Sequence, residues 1–344
     1  MTSRRAGGAN SPPNDPDPWT INSHPQVASV SLQRPVGTQR YAVIARRWLR
    51  ANGFFVALLM PLVVLMLGLY VYPVARTIYL SFTNLNFLSP IPFTRLIGLD
   101  NYKTYLGGPE GVTTLRNSFF FTVVATALET LLALGIALLL NRTFRGSGLV
   151  RTLLMLPIMF APVVVGYEWR WIFDDQLGLA NYILESLHII QRPLAWLSSA
   201  NLAMWAVIVA DVWYSTPFVM VILLGGLQSL PGEPYEAARV DGASTWQQLV
   251  HITLPLLRPV LLAAILIRAM DAFQLFDLPF IMTFGGPAMA TETINTWTYK
   301  EAFRNFQLGY AAAISVVALV AMLLIGLLLS RLVVRQLSYK GSAT

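Results

Sequence analysis

EAARVDGASTWQQLVHITLP, residues 236–255, is a polar, helix-compatible stretch lying between two strongly apolar runs, and the rest of the chain is read outward from it. Pro231-Gly232 ends the preceding run. Glu233 and Pro234 suit a first helical turn, where a carboxylate complements the helix dipole and proline's missing N–H costs nothing. YEAARV carries the helix on, and Gly242 ends it in the manner of a C-terminal cap. Ser244 followed by Gln247 has the form of a capping box, so a second helix begins at once. Pro255 and Pro259 mark its passage into the next apolar run. The expected object is a helix–turn–helix standing off a membrane. Ala237 and Ala238 lie on one face, where small side chains let another protein come close, and Glu236 is placed to pair with a basic group on it. A plain solvated loop is the competing reading; the length and the two-helix grammar oppose it.

The flanking runs are long enough to cross a bilayer, which takes roughly 20 mostly apolar residues. Six such spans are expected, at about 53–74, 118–140, 152–173, 202–226, 258–282 and 308–332. The chain therefore reads as an all-α integral membrane protein with six transmembrane helices. Pro157 and Pro162 predict a kink in the third span, tolerable where neighbours satisfy the freed carbonyls. Orientation follows from Lys and Arg in the short loops. Arg40, Arg46, Arg47 and Arg50 precede span 1; Arg142, Arg145 and Arg151 lie between spans 2 and 3; Arg331, Arg335 and Lys340 follow span 6. These regions share one side, expected to be cytoplasmic together with both termini and the loop at 231–258. The other side carries Asp100, Glu110, Asp174, Asp175, Glu185, Glu292 and Glu301. Trp169, Trp171, Trp196 and Trp297 sit near that boundary, as an interfacial aromatic belt would.

Composition agrees. Of 344 residues 55% are hydrophobic and 12% charged, against about 25% charged in a typical soluble chain. The absence of cysteine removes disulfides and thiolate metal sites, and His24, His188 and His251 are scattered, so no metal or catalytic cluster is expected. The net charge of +7 is accounted for by topology, with no nucleic-acid partner. Residues 1–50 are polar and rich in Pro, Gly, Ser and Asn, which predicts a disordered tail with no secretory signal. Its end, YAVIARRWLR at 41–50, reads as a basic interfacial helix near lipid phosphates. The membrane domain is expected over 51–335, followed by a short cytoplasmic tail over 336–344.

The 236–255 stretch resembles the EAA loop of the membrane subunits of binding-protein-dependent ABC importers. Glu236, Ala237, Ala238 and Gly242 stand at the motif positions, with Asp241 beside them and Ile252, Leu254 and Pro255 closing the pattern. YPVARTIYLSFTN (72–84), GLDNY (98–102), RTLLMLP (151–157), DVWYSTPFVMVILLGGLQSLP (211–231) and FDLPFIMTFGGP (276–287) resemble the sugar permeases of the maltose and glycerol-3-phosphate group. The GLDNY and FGGP blocks favour its MalF- or UgpA-like members. The resemblance implies a type I importer permease (MetI/MalF-like) fold in an inner membrane and a carbohydrate substrate. It also implies a second homologous permease, two ATP-binding subunits holding ATP and Mg, and an extracytoplasmic sugar-binding protein meeting the loops at 87–111 and 284–305. No G-x-x-x-x-G-K-[ST] phosphate loop occurs in the chain, so it is expected to be no enzyme and to carry no cofactor of its own.

Ionisable residues inside spans usually face the bundle or a wet cavity. Arg268 and Asp271 lie three apart on span 5, hence on one face. On span 4, Asp211, Tyr214, Ser215 and Phe218 share a face that mixes acceptors, a hydroxyl and aromatic rings, as a sugar requires. The resemblance adds Ala272 and places the sugar-lining positions on these same faces, but with altered chemistry at Asp211, Arg268 and Ala272, so the sugar itself is left open. The plainer readings are a structural ion pair for Arg268 and Asp271, water exposure for Asp211, and structural roles for Glu129 and Asp277. Two other functions stand against import: a carrier driven by an ion gradient, relaying ions through Asp211, Arg268 and Asp271, and a non-transporting scaffold or sensor.

Overall fold

The computed structural model describes residues 53–55, 57–88, 94–142 and 144–341, with side chains as far as Leu332. The tail over 1–50, with its arginines, lies outside the described residues. The chain divides into two compact units, Met1–Leu65 and Met66–Thr344, and the packing below is that of the second. Regular structure among the described residues is helical, with one isolated bridge between Thr83 and Leu96.

The first long apolar helix, α1, is Gly53–Ser81. Then come α2 (Asp100–Gly107), α3 (Pro109–Leu140), α4 (Ser147–Met155) with a tight turn Leu156–Met159, α5 (Pro162–Ile172), α6 (Leu179–Ser186) and α7 (Ala203–Gln228). The chain continues through α8 (Glu233–Val240), α9 (Thr245–Gln248), a wide turn Leu249–Thr253, α10 (Leu254–Phe273), α11 (Asp277–Met282), α12 (Ile294–Phe303) and α13 (Leu308–Gly341). Five helical stretches are long and apolar enough to cross a membrane, and six if a bent pair counts as one span. α13 runs on through residues 336–341.

The kink expected in span 3 is present and is sharper than a kink, a full break between two short helices. Ser147–Met159 and Pro162–Ile172 meet at 97°. Phe160 and Ala161 are extended between them, because Pro162 disfavours helical geometry in the residue before it and cannot donate to the preceding turn. Span 5 is interrupted as well: α10 ends at Phe273 and Asp277 opens α11. Span 2 begins earlier than hydropathy indicated, at Pro109, whose ring suits a first helical turn.

α3 and α7 form the central pair, and α10 packs on both and on α13. Phe121, Ala125, Glu129, Ala133 and Ala137 recur every four residues along α3, and each is at most 1% exposed. Four-residue spacing puts them on one stripe, and its alanines let neighbouring helices come close enough for dispersion contacts, the main attraction between helices in lipid. Where α7 meets α10, a Cβ on Gly226 would stand 2.7 Å from Val260 Cγ1 and 2.9 Å from Leu257 Cδ1.

Several of the quoted sequence blocks prove to be joints. Asn101 of GLDNY donates to Ser81 O (2.9 Å) and Thr83 O (2.8 Å), fastening α2 to the end of α1. Arg151 of RTLLMLP donates to Leu140 O at 2.9 Å, closing the carbonyl end of α3. In the FGGP turn, Lys300 Nζ binds Phe284 O (2.8 Å) and pairs with Glu292, while Asn117 holds Met289 O (2.8 Å) and Glu292 O (3.1 Å). Trp169 and Trp196 turn inward onto the buried Phe173, whereas Trp171 is 80% exposed.

Candidate functional site

The helix–turn–helix is built by local bonds. α8 starts with Pro234 in its first turn and Glu233 and Glu236 at its positive end. Gly242, at φ +76°, turns the chain, with Ala243 N–H donating to Ala238 O at 2.9 Å. Ser244 and Gln247 then exchange bonds, Gln247 N to Ser244 Oγ (3.3 Å) and Ser244 N to Gln247 Oε1 (2.7 Å), forming the capping box that opens α9. The two arms are tied by Tyr235 Oη donating to Thr253 Oγ1 at 3.1 Å. Glu236, Ala237, Asp241, Gly242 and Pro255 are exposed, and Ala238, Ile252 and Leu254 are half-buried. Sequence reasoning passed over two side chains here: Val240 is 88% and Trp246 70% exposed, flanking the turn. An apolar residue at each side of a polar turn was the signal available.

The membrane-embedded candidates divide into two groups. Asp211 (2% exposed), Ser215 (7%), Arg268 (1%) and Ala272 (2%) face the core. Arg268 reaches across the bundle: its Nε and Nη2 bind Glu129 of α3, the second bond at 2.9 Å, and Nη2 also binds Asp211 of α7. Nη1 donates to Asp271, one turn along α10, at 2.8 Å. Ser215 Oγ donates to Asp211 Oδ1 at 3.3 Å. Asp211 is therefore not water-exposed, because the guanidinium replaces its hydration. The ties between helices run from Arg268 to Glu129 and Asp211, while Asp271 pairs within its own helix. With most of its donors committed and its surface buried, Arg268 has little to offer a solute. The outward group is Tyr214, half-buried, Phe218, 38% exposed, and Asp271, whose side chain is 76% exposed. They form a phenol, a ring face and a carboxylate on the exposed sides of α7 and α10. Gln274, exposed one turn beyond Asp271, extends this polar edge.

Residues 112–338 match the family described as the binding-protein-dependent transport system inner membrane component. The chain belongs to that family. It is 35% identical over 270 residues to the trehalose/maltose transport system permease protein MalF of Thermococcus litoralis, covering 77% of this chain and 88% of that one. The trehalose transport system permease protein SugA of Mycobacterium tuberculosis is 34% identical over 259 residues, covering 75% and 81%. The sulfoquinovosyl glycerol transport system permease protein SmoG of Agrobacterium fabrum is 33% identical over 273 residues, covering 79% and 88%. A bacterial alginate ABC transporter, solved in complex with an alginate pentasaccharide-bound periplasmic protein, has a chain that superposes with a TM-score of 0.71 at 20% identity, over 82% of this chain and 94% of that one. This last likeness concerns the fold. As a member of the inner membrane component family, the chain is a multi-pass transport permease and not an enzyme.

Proposed function

We propose that this chain is one of two permease subunits of an ATP-driven importer that carries a carbohydrate through the cytoplasmic membrane by alternating access. The observation that carries the reading is the exposed helix–turn–helix at 233–253, joined without a break to α10, which bears the buried Arg268 cluster. A rigid path from a docking surface to the packed centre is what coupling to a separate motor requires. α8 sits in a cleft of the ATP-binding subunit, with Glu236 toward a basic group, Ala237 and Ala238 at the closest approach, and Val240 and Trp246 covering apolar surface on either side of the turn. Two such subunits hold the ATP and Mg, and both termini and this loop lie on their side of the membrane.

The sugar reading is supported by the substrates for which MalF, SugA and SmoG are named and by the outward group Tyr214, Phe218 and Asp271. A flat ring face suits the C–H side of a pyranose, and the phenol and carboxylate suit its hydroxyls. An extracytoplasmic binding protein delivers the solute to the outer loops at 87–111 and 284–305.

The first test is mass spectrometry of the material that co-purifies with the chain from native membranes in mild detergent. A second permease and a subunit with a nucleotide phosphate loop are expected. Recovery of this chain alone, under conditions that keep other such complexes intact, overturns the reading in favour of a carrier or scaffold. Uptake of labelled disaccharides, monosaccharides and polyols by the reconstituted complex then identifies the solute.

A further inference from the structure

Arg268 lies where α3, α7 and α10 meet, and one of its nitrogens, Nη2, touches both Glu129 and Asp211. Two carboxylates that accept from a single nitrogen stand side by side. Their side chains are 0% and 3% exposed, whereas that of Asp271 is 76% exposed and keeps its water. The buried part of the cluster therefore holds one cation and two acids. If both acids were ionised it would carry a net negative charge with no solvent to screen it, which is costly in a protein interior and more so in a membrane. Neighbouring carboxylates in such a position resolve the conflict by keeping one proton.

We propose that Glu129 and Asp211 share one proton at neutral pH, making the centre of the bundle a proton-binding site in balance with Arg268. One carboxyl group carries an O–H bond and donates it to the other, which remains the anion facing the guanidinium. The proton is retained, not transported. α3 contributes Glu129 to the cluster; α7 contributes Asp211, with Tyr214 on the next turn; α10 contributes Arg268 and Asp271. Asp277 of α11 is the next carboxylate within electrostatic reach of Tyr214. The inference does not depend on which solute is carried, and it stands or falls apart from the coupling assignment.

The test is infrared spectroscopy of the full-length chain in its purified assembly, in lipid nanodiscs at neutral pH, comparing wild type with Glu129→Gln and Asp211→Asn. Protonated carboxylic acids absorb apart from carboxylates and amides, and the band shifts in heavy water. The wild-type-minus-variant spectrum is expected to show that band for both variants, because either substitution leaves one acid paired with Arg268 and ionised. Each single amide mimics a neutral acid, so its melting temperature should stay within about 3 °C of wild type. The double variant, leaving Arg268 with exposed Asp271 alone, should melt well below both. A wild type without the band, or a band that survives both substitutions, overturns the proposal. So does a single variant that melts as low as the double.

Discussion

Replacing Arg268 by alanine leaves Glu129 and Asp211 buried without their cation, and breaking a buried ion pair from one side costs about 3–5 kcal/mol. Arg268→Ala is therefore expected to lower the yield and the melting temperature of the detergent-solubilised assembly. A variant of unchanged stability but altered solute preference would contradict the buried-tie reading. Asp271→Asn belongs to the other class. The Asp271 side chain is 76% exposed and stays hydrated, and Arg268 keeps Glu129 and Asp211 as partners without it, so stability should change by about 1 kcal/mol or less. Losing one charged hydrogen bond to a solute is worth about 1.5–3 kcal/mol, a roughly tenfold or larger rise in half-saturation for uptake. Unchanged uptake kinetics in that variant would remove Asp271 from the path. The three-residue spacing put Arg268 and Asp271 within reach of each other, and they do pair, although one side chain is buried and the other exposed. Nothing local ties residue 268 to residue 129, which is 139 positions away. Hence the solute-contact set drawn from sequence mixes buried ties with outward groups, which only tertiary packing separates.

Elements whose determinants are local were legible. Gly242 and the Ser244–Gln247 capping box form their bonds within a few residues, so the helix–turn–helix at 233–253 could be read from the chain. Two predictions concern it. Glu236→Lys reverses a charge on the exposed helix α8 and is expected to abolish uptake while the protein remains in the membrane; full uptake by a well-inserted variant would refute the proposed coupling role. Gly242→Ala forces a side chain into the left-handed region at a cost of roughly 1–2 kcal/mol. It should loosen the turn, so that ATP hydrolysis by the assembly responds less to solute-loaded binding protein. Prolines flagged the third span, but the 97° break depends on how two short helices pack against α7 and α11, which no window of sequence contains. The α3 stripe was likewise hidden, since alanine every fourth residue in an apolar run carries no periodic contrast. Ala133→Leu should overpack this seam by about 1–3 kcal/mol, read as a lower melting temperature.

Across the whole molecule, the layer beyond the spans has its own pH response. Burial chiefly, with Glu110 and Glu292 adding, holds Glu301 of α12 above the ordinary carboxylate range, against a hydrogen bond from Asn305. The folded state thus binds this proton more tightly than the unfolded chain. The resulting stabilisation is complete below the ordinary carboxylate value and is lost as pH rises through the raised one. Melting temperature should fall across that window in wild type and flatten in Glu301→Gln; equal slopes would exclude Glu301 as the source.

The parity of the chain turns on the bent pair at Pro162. At about 1.5 Å per residue, the arm Ser147–Met159 is roughly 20 Å long, short of a hydrocarbon layer of about 30 Å, so the pair crosses only with both arms contributing. Counted as one crossing, it returns Arg142, Arg145 and Arg151, the helix–turn–helix and Arg331 to a single face. Counted as none, every later loop changes sides, and the exposed helix–turn–helix would meet the outer medium, out of reach of any subunit that draws on cellular ATP. A cysteine at Trp246 labelled from the cytoplasm alone, with one at Leu177 labelled from outside alone, would establish the odd step; whether this one bent pair crosses decides which compartment the exposed helix–turn–helix meets.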